Sequence, residues 1–229
     1  MTGYFDNDEN KDKYFDGVIN LIQNERWIYV EGNNKFFYQS YNEISHIPMI
    51  GNKSCSDIIS LVNDNINFYG ILDLDFSDNN SIDRVYKINY YSIENLSLLY
   101  DKRYLSIKDE VINHINQHSL SLARIHKILV RIDRFPNKRA KKLSLTLDSK
   151  KHHSQYHNYI NNKIHSESLF IQFMDLKRVV EFGASFLRQI GRINRIDYID
   201  DLFNKLPNQR ISFLFKNNVY TRMKYDLNI

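Results

Sequence analysis

The chain has 229 residues, 42% of them hydrophobic and 25% charged, a globular balance that fills one substantial domain or a compact domain with an appendage. With only 7 Gly and 3 Pro, a low-complexity chain is excluded, and the single cysteine, Cys55, excludes an internal disulfide. No stretch approaches the roughly 18 apolar residues of a membrane span, and the acidic Met1 to Asp12 segment has no signal-peptide character, so a cytoplasmic protein is expected.

The net charge of +4 hides an asymmetry. Residues 1–100 carry 7 Lys/Arg and 15 Asp/Glu, a balance of −8, whereas residues 101–229 carry 24 and 12, a balance of +12. An acidic half suits metal ligation and a basic half suits a polyanion, although solvated helix faces give the same count.

Trp27 to Val30 is an apolar, β-prone run that ends in the turn signal Glu31-Gly32-Asn33-Asn34. Phe36, Phe37, Ser40, Tyr41 and Ile44 recur at helical spacing. Ile47 to Ile50 is a second strand, and Ser54 or Ser56 caps a helix carrying Ile58, Ile59 and Val62. Tyr69 to Leu72 is a third strand running into Asp73, and Val85 to Ile88 a fourth. Strands alternating with helices predict an α/β fold with a parallel sheet flanked by helices. Ligands of such sheets gather beyond the carboxyl ends of the strands, where Glu31 and Asp73 stand.

After Ser92 the pattern predicts helices over Ile93 to Leu99, Ile107 to Ile115, Leu120 to Ile132, Leu169 to Ile190 and Ile196 to Phe203, with a polar loop at 133–165. The expected organisation is a tail (1–14), a catalytic core (15–100) and a basic, mainly helical C-terminal region (101–229).

Asp73-Leu74-Asp75 places two carboxylates at i and i+2, on one face if the chain is extended. Hard oxygen ligands suit Mg²⁺, with Mn²⁺ as an alternative. Glu31 follows a strand and precedes a glycine that permits a tight turn. Each feature alone also fits a solvated strand end. Glu94 lies just inside a helix that Ser92 is placed to cap; it either completes the site or simply favours the helix N-terminus.

Three blocks together, Ile28 to Tyr38, Gly70 to Phe76 and Tyr90 to Leu96, resemble the Toprim family. This is the catalytic core of topoisomerases, bacterial primases and the overcoming-lysogenization-defect (OLD) nucleases. The likeness is sharpest to stand-alone Toprim effectors of the PARIS anti-phage systems. The resemblance implies a Toprim fold, with Glu31 as acid/base and metal ligand and Asp73 and Asp75 as further ligands, Glu94 joining the catalytic set. It implies an ABC-type ATPase partner that releases the nuclease when a phage anti-restriction protein is sensed, tRNA cleavage and growth arrest. Separately, the apolar residues of the expected long helix Leu169 to Ile190 are either core or a surface that pairs with its copy in a homodimer when active. Lys35 departs from the family, which often has an aspartate there. Two other readings therefore stand beside the nuclease: a degenerate Toprim module that binds nucleic acid or the ATPase without cutting, and an OLD-type DNA nuclease.

Lys35 and Lys53 are placed to meet phosphate near the strand ends. Arg131, Arg134, Lys138, Arg139, Lys141 and Lys142 form a basic cluster suited to nucleic acid, with Arg124, Lys127 and Arg131 expected on one helix face. His152, His153 and His157 lack a nearby cysteine or carboxylate at ligand spacing, which disfavours zinc.

Overall fold

Alternation of apolar side chains along short strands decides the architecture. The computed structural model describes residues 25–77, 82–117, 125, 127–134, 140–148, 162–197 and 199–229. Strands β1 (Trp27–Glu31), β2 (Met49–Lys53), β3 (Phe68–Leu72) and β4 (Val85–Lys87) form an all-parallel sheet in the order β2-β1-β3-β4. Ile28, Val30, Tyr69, Ile71 and Tyr86 point to one face, and Tyr29, Phe68, Leu72 and Val85 to the other. Both faces are covered, as a parallel sheet requires.

The second face meets helix α2 (Cys55–Asp64) through Ile58 and Val62. Ser54 caps α2 in a reciprocal capping box with Asp57. Gly70 makes the close approach of α2 to β3 sterically feasible: a Cβ there would stand 2.6 Å from Ile58 Cγ2. The first face is covered by helix α1 (Lys35–Gln39), the turns that follow it, helix α3 (Glu94–Tyr100) and, from the far end of the chain, residues 199–229. Helix α7 (Asn217–Leu227) brings Val219, Met223 and Leu227 into the same core as Ile28 and Ile71. Tyr86 donates a 2.7 Å hydrogen bond to the Asp226 carboxylate, and Arg222 donates to the Val85 carbonyl.

A second core joins α4 (Leu105–Gln117), a β5–β6 hairpin (Lys127–Arg134 and Ala140–Asp148), α5 (Glu167–Phe173) and α6 (Lys177–Gln189). The hairpin corrects the sequence reading, which placed a helix to Ile132 and a loop beyond. Ile128, Val130 and Ile132 alternate with Lys127, Leu129 and Arg131, a period of two that a helix cannot gather on one face. The paired strand supplies Leu143 and Leu145 to the same core. Lys127 and Arg131 therefore project from a strand, and Arg124 lies outside the described residues.

Other boundaries also move. The second strand runs over Met49–Lys53, two residues later than expected. The expected helix Leu169 to Ile190 is two helices, because Met174 is extended (ψ 149) and the chain turns before Lys177. Residues 195–205 are 3₁₀ turns with residue 198 outside the described set. Ser92 does not cap α3: the capping residue is Ile93, and Ser92 is fully buried. Among the described residues no helix is long and apolar enough to cross a membrane.

Candidate active site

The chain leaves β1 for β2 on one side of the sheet and crosses to β3 on the other. That reversal opens a crevice between the carboxyl ends of β1 and β3, the topological switch point of a parallel sheet. Glu31 is the last residue of β1, and Asp73 follows the last residue of β3. The Asp73 backbone N–H donates to Glu31 Oε2 at 3.2 Å, so residues 42 positions apart share one point in space.

Asp73 and Asp75 do not lie on an extended strand. The strand stops at Leu72, and Asp75 adopts a left-handed conformation (φ 49). Leu74 is drawn into the second core, which leaves the flanking aspartates at the crevice. Backbone N–H groups of Leu74 and Asp75 donate to the carbonyls of Tyr90 and Tyr91, tying this turn to the segment before α3. Glu94 arrives from the first turn of α3.

The crevice also holds groups that sequence reasoning did not identify. Lys177, first residue of α6, places Nζ 3.4 Å from Glu94 Oε1. Asp175 accepts from the Lys177 N–H at 3.3 Å, and after burial its charge helps hold the proton on the Tyr91 hydroxyl. Lys87 ends β4, is buried, and donates to the Ser77 carbonyl at 3.3 Å. Asn95 holds the corner between α5 and α6 in place. Its amide donates to the carbonyls of Ile171 and Met174 at 2.6 and 2.9 Å, while Ser92 Oγ donates to its oxygen. The sequence signal was the Ser-Ile-Glu-Asn run, but its partners lie more than 70 positions away.

The electrostatics are crowded. Burial raises the Asp73 carboxyl well above its usual range, and the charges of Glu94 and Glu31 push it further. Glu31 is raised by burial and by Asp75, with the Asp73 N–H, Lys177 and Lys87 opposing. Asp75 is raised by burial, against the pull of Lys87 and Lys177. Burial opposes the Lys177 ammonium, yet Glu94 and Asp73 outweigh it and hold the proton on. Five carboxylates therefore face two lysines. Asp73 Oδ1 and Glu94 Oε2 are buried and accept no hydrogen bond, a costly state for a carboxylate oxygen.

Among the described residues no three His, Cys, Asp or Glu side chains already converge as a metal cage. The chemistry of the donor set nonetheless fits a hard divalent cation. The oxygens are carboxylate, two of them lack any donor, and the negative charge exceeds the local lysines.

The expected phosphate-binding lysines divide. Lys53 ends β2 in register with Glu31, and Lys35 opens α1 four residues after Glu31, the last residue of β1, so both stand at the sheet's carboxyl edge. The close approach here relies on Gly51, where a Cβ would lie 3.0 Å from the Gly32 carbonyl, and on Gly32 itself (φ +54). Arg131, Arg134 and Lys142 are exposed on the hairpin, apart from the carboxylates, and Arg131 pairs with Asp133 at 2.9 Å. Lys141 lies within β6, while Lys138, Arg139, His152, His153 and His157 lie outside the described residues.

Fold and site define a three-layer parallel α/β protein with a buried acidic crevice at its switch point. Comparison of the chain with protein families, curated proteins and solved structures finds no match.

Proposed function

We propose that the chain is a Toprim-type, Mg²⁺-dependent nuclease (Mn²⁺ serving as substitute), cutting RNA such as tRNA as the toxic effector of an anti-phage system. One observation carries this reading: the buried, donor-less oxygens of Asp73 and Glu94 stand beside Glu31 at the switch-point crevice. The family resemblance of the three sequence blocks supplies the biological setting, an ABC-type ATPase partner and a phage anti-restriction trigger; composition points to the cytoplasm, and the apolar C-terminal helices to a homodimer when active.

Asp73, Asp75, Glu31 and Glu94 would hold the metal. Once bound, a divalent ion polarises a phosphoryl oxygen and lowers the pKa of an attacking water or hydroxyl. The Asp73 N–H orients the Glu31 carboxylate. Burial lifts the Glu31 pKa toward the range where a carboxyl exchanges protons with a nucleophile or leaving group. Lys87 and Lys177 meet the negative charge of a phosphate brought against the carboxylates.

The test is induced expression of wild type beside Glu31→Ala, with growth followed and total RNA inspected. The expected result is growth arrest with discrete RNA fragments, both absent from the variant. A 2′-deoxy substitution at the cut position separates chemistry by a ribose hydroxyl from DNA-type cleavage. A second reading has its own observation: Lys177 already neutralises Glu94, as suits a module that binds nucleic acid or the ATPase without cutting. Equal growth and intact nucleic acid in both strains, with the ATPase partner and its trigger supplied, would favour it.

A further inference from the structure

A groove of about 400 Å³ runs between strand β5 and helix α6. Its floor is apolar, built from Val130 and Ile132, and Phe182 stands over it with 36% of its surface exposed. Phe182 belongs to none of the packed clusters, although its helix neighbours Val179, Val180, Gly183 and Ala184 are buried. Arg134 lines it as well, whereas the Arg131 side chain alternates to the other face of β5 and pairs with Asp133. The acidic side chain there, Glu181, is paired with Arg178 at 2.6 Å, so the groove is not left with a net repulsion for phosphate.

Helix α6 links this groove to the crevice. It begins at Lys177, beside Glu94, and Phe182 follows five residues later, about 7–8 Å along the axis and about 140° around it, so the groove opens on another side of the helix than the crevice. An apolar slot with an aromatic wall and cationic mouth has the chemistry of a nucleobase site: the ring stacks on the base while guanidinium groups meet the backbone. A base inside a duplex has no free face to offer such a slot.

Resting on the reading of the crevice as a strand-cutting site, we infer that the β5–α6 groove binds an unpaired nucleotide of the substrate strand, away from the scissile phosphate, through Phe182 and Arg134. The groove thereby selects single-stranded or looped nucleic acid over duplex.

The test is fluorescence anisotropy of a labelled oligonucleotide titrated with the full chain in EDTA, so that no cleavage is needed. RNA and DNA single strands are compared with the corresponding duplexes. Phe182→Ala is expected to weaken single-strand binding by about 5- to 100-fold and duplex binding little, while Phe182→Trp restores it. Tyr225→Ala, which alters an 87% exposed ring elsewhere on the surface, serves as the unaffected control. Preference for RNA over DNA single strands assigns the substrate to RNA, and equal binding leaves the groove blind to the sugar; both outcomes support it. Wild-type binding that is absent, stronger for duplex, or indifferent to Phe182→Ala in a folded variant overturns the inference. The two readings fail separately. A chain that binds through Phe182 but never cuts with Mg²⁺ sinks the nuclease alone, and one that cuts without using Phe182 sinks the groove alone.

Discussion

The acidic crevice and the basic hairpin are both charged, but they hold their charges in opposite ways. In the crevice, Glu94 and Asp73 are buried to within a few per cent, and the charges of Glu94 and Glu31 add to burial in raising the Asp73 carboxyl. On the hairpin, Arg131 is 77% exposed and its pairing with Asp133 is open to water. Exposed ion pairs contribute about 0–1 kcal/mol, whereas buried carboxylate oxygens without a donor, Asp73 Oδ1 and Glu94 Oε2, oppose folding until something satisfies them. The hairpin's charges can therefore change with little consequence for the fold. The crevice's charges persist only because the surrounding core holds them.

The comparison breaks most visibly at the corner that closes the crevice. Asn95→Leu removes the donor from two buried carbonyls, at about 1–3 kcal/mol each. It also frees the segment carrying Asp175 and Lys177, so resistance to chemical denaturation should fall, and the proposed strand cleavage with it. An unaltered denaturation midpoint would show that the corner does not depend on this amide.

A smaller loss is expected at Gly70. The 2.6 Å approach of an added Cβ to Ile58 must push α2 off β3, and overpacking of this kind costs about 1–3 kcal/mol. Gly70→Ala should lower the urea midpoint, and since β3 leads directly to Asp73 it should loosen the crevice as well.

Asp73→Asn acts in the opposite direction. The folded Asp73 carboxyl has a pKa above its unfolded value, so between the two values the folded state binds more protons. Stability attributable to Asp73 then falls as pH rises through the folded pKa, and the loss is complete above it. In EDTA the asparagine variant should melt higher than wild type at neutral pH, and the gain should shrink as pH falls toward the ordinary aspartate value. A gain independent of pH would locate its cause outside the carboxylate charge. Millimolar Mg²⁺ should raise the melting temperature of wild type and do so less in the variant.

The smallest structural effect belongs to the hairpin. Arg131→Ala should alter stability by no more than about 0.5 kcal/mol. If the hairpin meets phosphate, the same change reduces the slope of log affinity against log salt by about one. A stability loss comparable to that at Gly70 would erase the contrast between the two regions.

Much of the crevice was legible before any coordinates. Trp27 to Val30 and Tyr69 to Leu72 are apolar runs that end in carboxylates, and strands alternating with helices place such ends on one edge of a parallel sheet. Of the two caps the sequence offered, Ser54 and Ser56, it is Ser54 that opens the helix. The hairpin was misread because Lys127 to Ile132 satisfies a helical count loosely while its strict alternation fits a strand better. The break after Phe173 was hidden because Asn95, which holds that corner, lies in another block of the chain.

By itself the sequence determined the α/β class, the capped helix and the pair of strand ends on which Glu31 and Asp73 stand, since propensity, periodicity and capping act over a few residues. Only the tertiary structure decided that Asp175 and Lys177 join them, that Lys87 closes the far side, and that residues 199–229 return to cover the sheet. Those outcomes depend on packing between distant segments and on burial. Burial also shifts the carboxylates, because proton affinity answers to the surroundings of a group and not to its place in the chain.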